Sequence, residues 1–139
     1  MIIQKDVPHT KQAVGCIMTY KSKYFLIRKV KDDLWNSITA TAEEGTDLKE
    51  VIIKAIKDYL GIELEPEFFT TTLHKYGDEI VKYHIFDYEF KENPEEQVFL
   101  NLEKVKEVKL FDFEDAIHKK LYEDEDHCIR LHHDNKGYI

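Results

Sequence analysis

Apolar residues fall along this chain in two rhythms. Gln12–Tyr20 (QAVGCIMTY) is almost continuously apolar, Lys21-Ser22-Lys23 is a polar turn, and Tyr24–Val30 (YFLIRKV) is apolar again. This predicts two strands joined by a tight connection. A charged loop, Lys31–Leu34, then leads to Trp35. From Leu48 the rhythm changes: Leu48, Val51, Ile52, Ala55, Ile56, Tyr59 and Leu60 repeat at three- and four-residue steps, a single apolar stripe on a helix. Asp47 is placed to cap the start of that helix, with Glu50 as its capping-box partner, and Gly61 suits the left-handed residue that ends one. The two-residue rhythm returns in Phe68–Tyr76 and Glu79–Phe90, which read as a hairpin about Gly77-Asp78. Within it Tyr83, Ile85, Asp87 and Glu89 alternate with His84, Phe86, Tyr88 and Phe90. The polar loop Lys91–Gln97 follows, then a strand over Val105–Phe113, a short helix over Glu114–Tyr122, and a polar tail that is helical at first. Mixed strands with one helix after the second strand pair and another near the end predict an α+β sandwich.

Length and charge narrow the field. At 139 residues the chain is expected to form one domain spanning 1–139, and 42% hydrophobic residues suffice for a packed core. The formal net charge of -8 argues against nucleic acid as a partner. It also disfavours an anionic ligand unless a cation or a local basic patch intervenes. The densest basic group is Arg28, Lys29 and Lys31. No apolar run approaches the roughly 20 residues of a membrane span, and the first dozen residues lack the apolar core of a signal peptide, so the expected location is cytoplasmic, with no membrane partner. Cys16 and Cys128 fit no metal-ligand spacing; Cys16 is expected as a buried thiol, without a disulfide in a reducing compartment. His127, His132 and His133 lie among Asp124, Asp126 and Asp134 but not at the four-residue spacing of a facing metal pair, which predicts a solvated tail. His74 and His84 are candidates to meet across the hairpin.

Residues 35–62, WNSITATAEEGTDLKEVIIKAIKDYLGI, resemble the Nudix signature, G-x5-E-x7-R-E-U-x-E-E-x-G-U with U a bulky aliphatic. Anchored on Gly61 and Ile62, the pattern runs without a gap. Trp35, Glu43 and Gly45 stand where many Nudix sequences carry Trp, an acidic residue and Gly. The resemblance extends over about residues 12–122 and implies a Nudix-like α/β/α sandwich with a mixed sheet, and often a homodimer. It further implies Mg²⁺ or Mn²⁺ held by helix glutamates and used to cleave a diphosphate. Those glutamates are what this chain lacks. Ala40 stands at the leading Gly, Thr46 at the first Glu, Lys54 and Ala55 at the Arg-Glu pair, and Asp58 and Tyr59 at the Glu-Glu pair.

Two functions from different classes follow. One is a nucleotide or nucleoside-diphosphate-linked ligand bound without the usual hydrolysis. The ligand candidates are Arg28, Trp35, Glu43, Glu44, Lys54 and the aromatic Phe86. The other is an active diphosphatase whose metal is held by relocated carboxylates, with Asp58 and Glu50 catalytic and Asp58, Glu50 and Glu43 as ligands. Glu44, or Glu79, Glu95 and Glu96 from later loops, could supplement them. A protein-interaction scaffold without a small ligand is a third reading. The Trp35-Asn36-Ser37 run is similar to one in isopentenyl diphosphate isomerases, but Ile38–Thr41 supplies neither the Cys nor the His that chemistry requires.

Overall fold

The computed structural model describes residues 11–136 and the backbone of Ile2–Ile3. Its strands are β1 (Ile2–Ile3), β2 (Lys11–Tyr20), β3 (Lys23–Lys29), β4 (Trp35–Asn36), β5 (Ile38–Ala42), β6 (Glu67–Tyr76), β7 (Glu79–Glu89) and β8 (Val105–Phe111). The helices are α1 (Leu48–Leu60), α2 (Phe113–Ile117) and α3 (Glu125–Lys136), with a 3-10 turn at Pro94–Glu96.

β2 is the spine of the sheet. One edge pairs in parallel with β7 from Lys11 to Thr19. The other edge is shared: β5 takes Gln12–Cys16 antiparallel, and β3 takes Met18–Tyr20. β3 carries β8 and β4 beyond it, and β6 and β1 extend the β7 side. The result is the mixed sheet expected from the sequence. The β2–β3 turn holds both Lys21 (φ 49) and Ser22 (φ 64) in the left-handed region, the twist a two-residue hairpin demands.

Alternation along the strands divides the core into two layers. Val14, Cys16, Met18, Phe25, Ile27, Ile38, Phe86 and Phe90 face α1, where they meet Ile52, Ile56 and Leu60. Ile17, Tyr24, Leu26 and Ile85 face α2 and α3, where they meet Ala116, Ile117, Cys128 and Ile129. Cys16 and Cys128 are therefore buried free thiols in opposite layers, and burial raises both thiol pKa values.

α1 spans the predicted helix. The Asp47 side chain accepts hydrogen bonds from Lys49 N (3.0 Å) and Glu50 N (3.3 Å), while Glu50 itself points to solvent. Gly61 closes the helix at φ 67, and a methyl on it would lie 2.8 Å from the Phe99 carbonyl.

Two later elements differ from expectation. The helix predicted over Glu114–Tyr122 stops at Ile117, because the chain is drawn off to pair with β4: Trp35 N donates to Lys120 O and Tyr122 N to Trp35 O. The tail is not a solvated appendage. Its helix begins at Glu125, and it buries Glu125, Cys128, Ile129 and His132 against the sheet.

Candidate functional site

Polar contacts seat α3 along its length. Just before its first turn, Asp124 accepts a hydrogen bond from His74 Nδ1 at 3.0 Å. Burial lowers the His74 pKa below its usual 6.5, against the pull of the Asp124 carboxylate. At the first residue, Glu125 Oε1 accepts from Ser37 N (3.1 Å) and from the Ser37 hydroxyl. Glu125 is only 4% exposed; burial pushes its pKa up to about 7, partly opposed by the two Ser37 bonds. Two turns on, His132 is clamped at both ring nitrogens. Nδ1 accepts from the Tyr24 hydroxyl at 2.9 Å, and Nε2 donates to Asp87 at 3.1 Å. Lys136 adds a second cation to Asp87 at 2.8 Å.

A cleft of about 840 Å³ opens beside this docked end. Its floor is Gln12 and Ala13 of β2 with Thr39–Thr41 of β5. One wall is the hairpin tip, with His74, Tyr76 and Tyr83, and another is the start of α3. The far end reaches Tyr59 on α1, Lys29–Asp32 and Lys104. Tyr83 leans on Gly15: a methyl there would fall 1.8 Å from the phenol oxygen, so the close approach requires glycine. Its hydroxyl is held strongly protonated, first by burial and then by the charge of Glu125. Tyr76 stacks on the His74 ring (6.2 Å, 5° between planes), so the hairpin wall is aromatic.

The opposite end is cationic. The β3–β8 register shifts between Arg28 and Lys29, and there the two side chains part. Lys29 turns into the cleft, donates to Thr39 Oγ1 at 3.3 Å and lies 5.7 Å from the Tyr59 ring centre. Burial lowers its pKa, with Asp32 and Glu125 opposing. Lys104 lies 5.4 Å from the same ring and is ion-paired with Asp58.

The site residues expected from sequence are placed differently. Arg28 packs over the Trp35 ring (5.8 Å) and pairs with Asp33 and Glu107, both at 2.8 Å. Trp35 stands edge-on to Phe111 at 4.8 Å, in the α3-side layer. Phe86 is 5% exposed and belongs to the α1-side core. None of the three lines the cleft. Glu43, Glu44, Glu50, Lys54 and Asp58 are exposed and lie outside its lining. The main-chain carbonyl of Glu43 accepts from Gln12 and Thr46. His74 and His84 do not meet either: His74 pairs with Val81 and His84 with Thr71, which sends them to opposite faces of the ribbon. His84 instead bonds Thr71 and Gln12, both at 3.0 Å.

These residues do not fit a divalent cation. Asp58 and Glu50 are eight residues apart on one helix, about 12 Å along its axis, too far to share an ion whose ligands stand about 2.1 Å away. Lys54 lies between them, and Asp58 is already paired with Lys104. Ala55 and Tyr59 pack against the α1-side core. Among the described residues no group of three or more His, Cys, Asp or Glu side chains could hold a metal ion. The sequence reading named Lys29 within its basic group but missed Tyr59, Tyr83 and Glu125 as cleft residues. Of these only Tyr59 carried a signal, its place at the Glu-Glu pair of the signature.

No protein-family model matches the chain, and no curated protein matches it. Solved structures do. The Nudix domain of Shewanella oneidensis NrtR, complexed with ADP-ribose, is similar at TM-score 0.75 and 13% identity, over 94% of this chain and 90% of that one. The E. coli ORF135 protein is similar at TM-score 0.73 and 16% identity, over 91% and 90%. A C. elegans Ap4A hydrolase in a binary complex is similar at TM-score 0.68 and 18% identity, over 93% and 100%. At such identities the likeness is one of architecture, and this chain has the Nudix fold.

Proposed function

We propose that this chain binds a nucleotide or nucleoside-diphosphate-linked small molecule in the cleft between α3, the β6–β7 hairpin and the end of α1, without the metal-dependent hydrolysis associated with the fold. The observation that carries this reading is the cleft itself: about 840 Å³, aromatic at one end and cationic at the other. A volume of that size suits a nucleotide-sized ligand. The aromatic end offers ring faces and hydroxyls to an apolar or heterocyclic group, and the lysines offer charge to phosphate. Two proteins of the same fold, the NrtR Nudix domain and the Ap4A hydrolase, are described with ADP-ribose and as acting on Ap4A, which supports the ligand class. The selective replacement of carboxylates by Thr46, Ala55 and Tyr59 supports the loss of hydrolysis.

Calorimetric titration of ADP-ribose, paired with a hydrolysis assay in Mg²⁺ and in Mn²⁺, tests the reading. The expected result is saturable binding with no turnover above the uncatalysed rate. Turnover near 10 s⁻¹, an ordinary enzymatic value, would overturn it.

A further inference from the structure

Where the Nudix signature places a metal-binding carboxylate, this chain has Tyr59, and two ammonium groups gather around its ring. Lys104 lies 5.4 Å and Lys29 5.7 Å from the ring centre. Their bases are tied together, since Val30 N donates to Lys104 O at 3.0 Å and Asn101 N to Tyr59 O at 3.0 Å. The two lysines are committed to different degrees. Lys104 is paired with Asp58, which also accepts from Asn101 Nδ2 at 3.4 Å. Among the described residues the half-buried Lys29 ammonium bonds the Thr39 hydroxyl alone and has no carboxylate within ion-pair distance, though the charges of Asp32 and Glu125 reach it. A partly desolvated ammonium with one neutral partner is costly unless a negative group completes it. In a chain of net charge -8, such a cation facing a cleft is the place where an anion gains most.

Of the carboxylates lining the cleft, Glu103 and Glu123 are exposed, and the others are held by partners of their own. Glu79 pairs with Lys11 at 3.1 Å, Asp124 bonds His74, and Glu125 bonds Ser37. Asp32 accepts from Leu34 N at 3.0 Å.

Resting on the ligand reading above, we propose that Lys29 and Lys104, braced on Tyr59, hold the ligand's diphosphate in place of a metal ion, so that binding requires no divalent cation. Two ammonium groups supply the charge of one Mg²⁺ without polarising a water for attack, which suits retention rather than cleavage. Asp58 then competes with the ligand for Lys104, a role opposite in sign to that of a metal ligand.

The test is calorimetric titration of the full chain with ADP-ribose, inorganic pyrophosphate and adenosine, each in EDTA and in excess Mg²⁺. The expected result is the same Kd for ADP-ribose in both buffers and at least tenfold weaker binding in Lys29→Met, which keeps the apolar stem. Lys29→Arg should recover most of the affinity. Asp58→Asn should tighten ADP-ribose and pyrophosphate severalfold, and adenosine should be indifferent to every variant. ADP-ribose binding that appears only with Mg²⁺, or weakens in Asp58→Asn, would overturn the lysine pair while leaving the ligand reading intact. Unchanged ADP-ribose binding in a Lys29→Met variant with a native melting profile would also overturn it. Absence of ADP-ribose binding in both buffers would overturn both.

Discussion

Helix α1 meets the sheet through Ile52, Ile56 and Leu60, all fully buried, and keeps its charges in solvent. Helix α3 covers the other face of the same sheet with Cys128 and Ile129, but it also buries Glu125 and His132. One contact is held by apolar area, which has no preferred direction. The other is held in addition by hydrogen bonds of fixed geometry, which cost stability if any partner is missing. The cleft lies at the start of α3, where Glu125 and Asp124 line it. Orientation matters more there than raw stability, and a directional anchor specifies orientation.

Three changes break or sharpen this contrast. The largest effect is expected on the apolar side: Ile56→Ala removes a side chain with no exposure and should cost about 2–5 kcal/mol in urea unfolding, with no dependence on pH. An equal loss at low and neutral pH would confirm the apolar character of that contact, and a pH-dependent loss would contradict it.

On the polar side the expected effect is a slope. The Glu125 carboxyl sits at about 7 in the folded chain against 4.5 ordinarily, so the folded state binds the proton more tightly. Its contribution is fully present below about pH 4.5 and is lost as pH rises through about 7, by about 3 kcal/mol at about 1.4 kcal/mol per pH unit. His74 acts in the reverse sense: burial lowers its pKa, so the unfolded chain takes the proton first and stability rises with pH up to about 6.5. In the native chain the two slopes oppose each other. Glu125→Gln should remove the falling component and leave stability that only rises across this window. A set of unfolding curves at several pH values reads this directly, and an unaltered profile in the variant would refute the assignment.

The smallest effect is at the α1 cap. Asp47→Ala removes the acceptor for Lys49 N and Glu50 N and should cost about 1 kcal/mol. Because Asp47 does not line the cleft, ADP-ribose affinity should stay the same. A matching loss of affinity would show that α1 and the cleft are coupled.

The same contrast explains what could be read from the chain alone. α1 was legible to its ends because its stripe is written in aliphatic residues and its caps in Asp47 and Gly61. The hairpin was legible from the alternation around Gly77-Asp78. α3 has an equally regular stripe, Glu125, Cys128, Ile129 and His132 at three- and four-residue steps. Two of its four members are a carboxylic acid and an imidazole, so a pattern scored by hydropathy misses it. The site was less legible still. Arg28 and Lys29 are neighbours of similar charge; alternation parts them, but only the pairing of β3 decides that one meets Trp35 and the other Thr39. Tyr59 reads as a core residue by periodicity, which it partly is. Its edge on the cleft comes from the loop carrying Lys104, distant in sequence.

The shared edge of β2 bears on how a ligand could enter. β2 is hydrogen-bonded to β7 from Lys11 to Thr19 and, on its other side, to β5 and then β3. The cleft floor belongs to the β2–β5 part of that ladder. Parting these strands to admit a molecule would sever a run of backbone hydrogen bonds in the middle of the sheet. A ligand taken up as proposed would therefore meet a floor that stays closed, and would enter from the open side of the cleft. For a binder with such a fixed base, the association rate should be set by diffusion and charge rather than by a slow opening step.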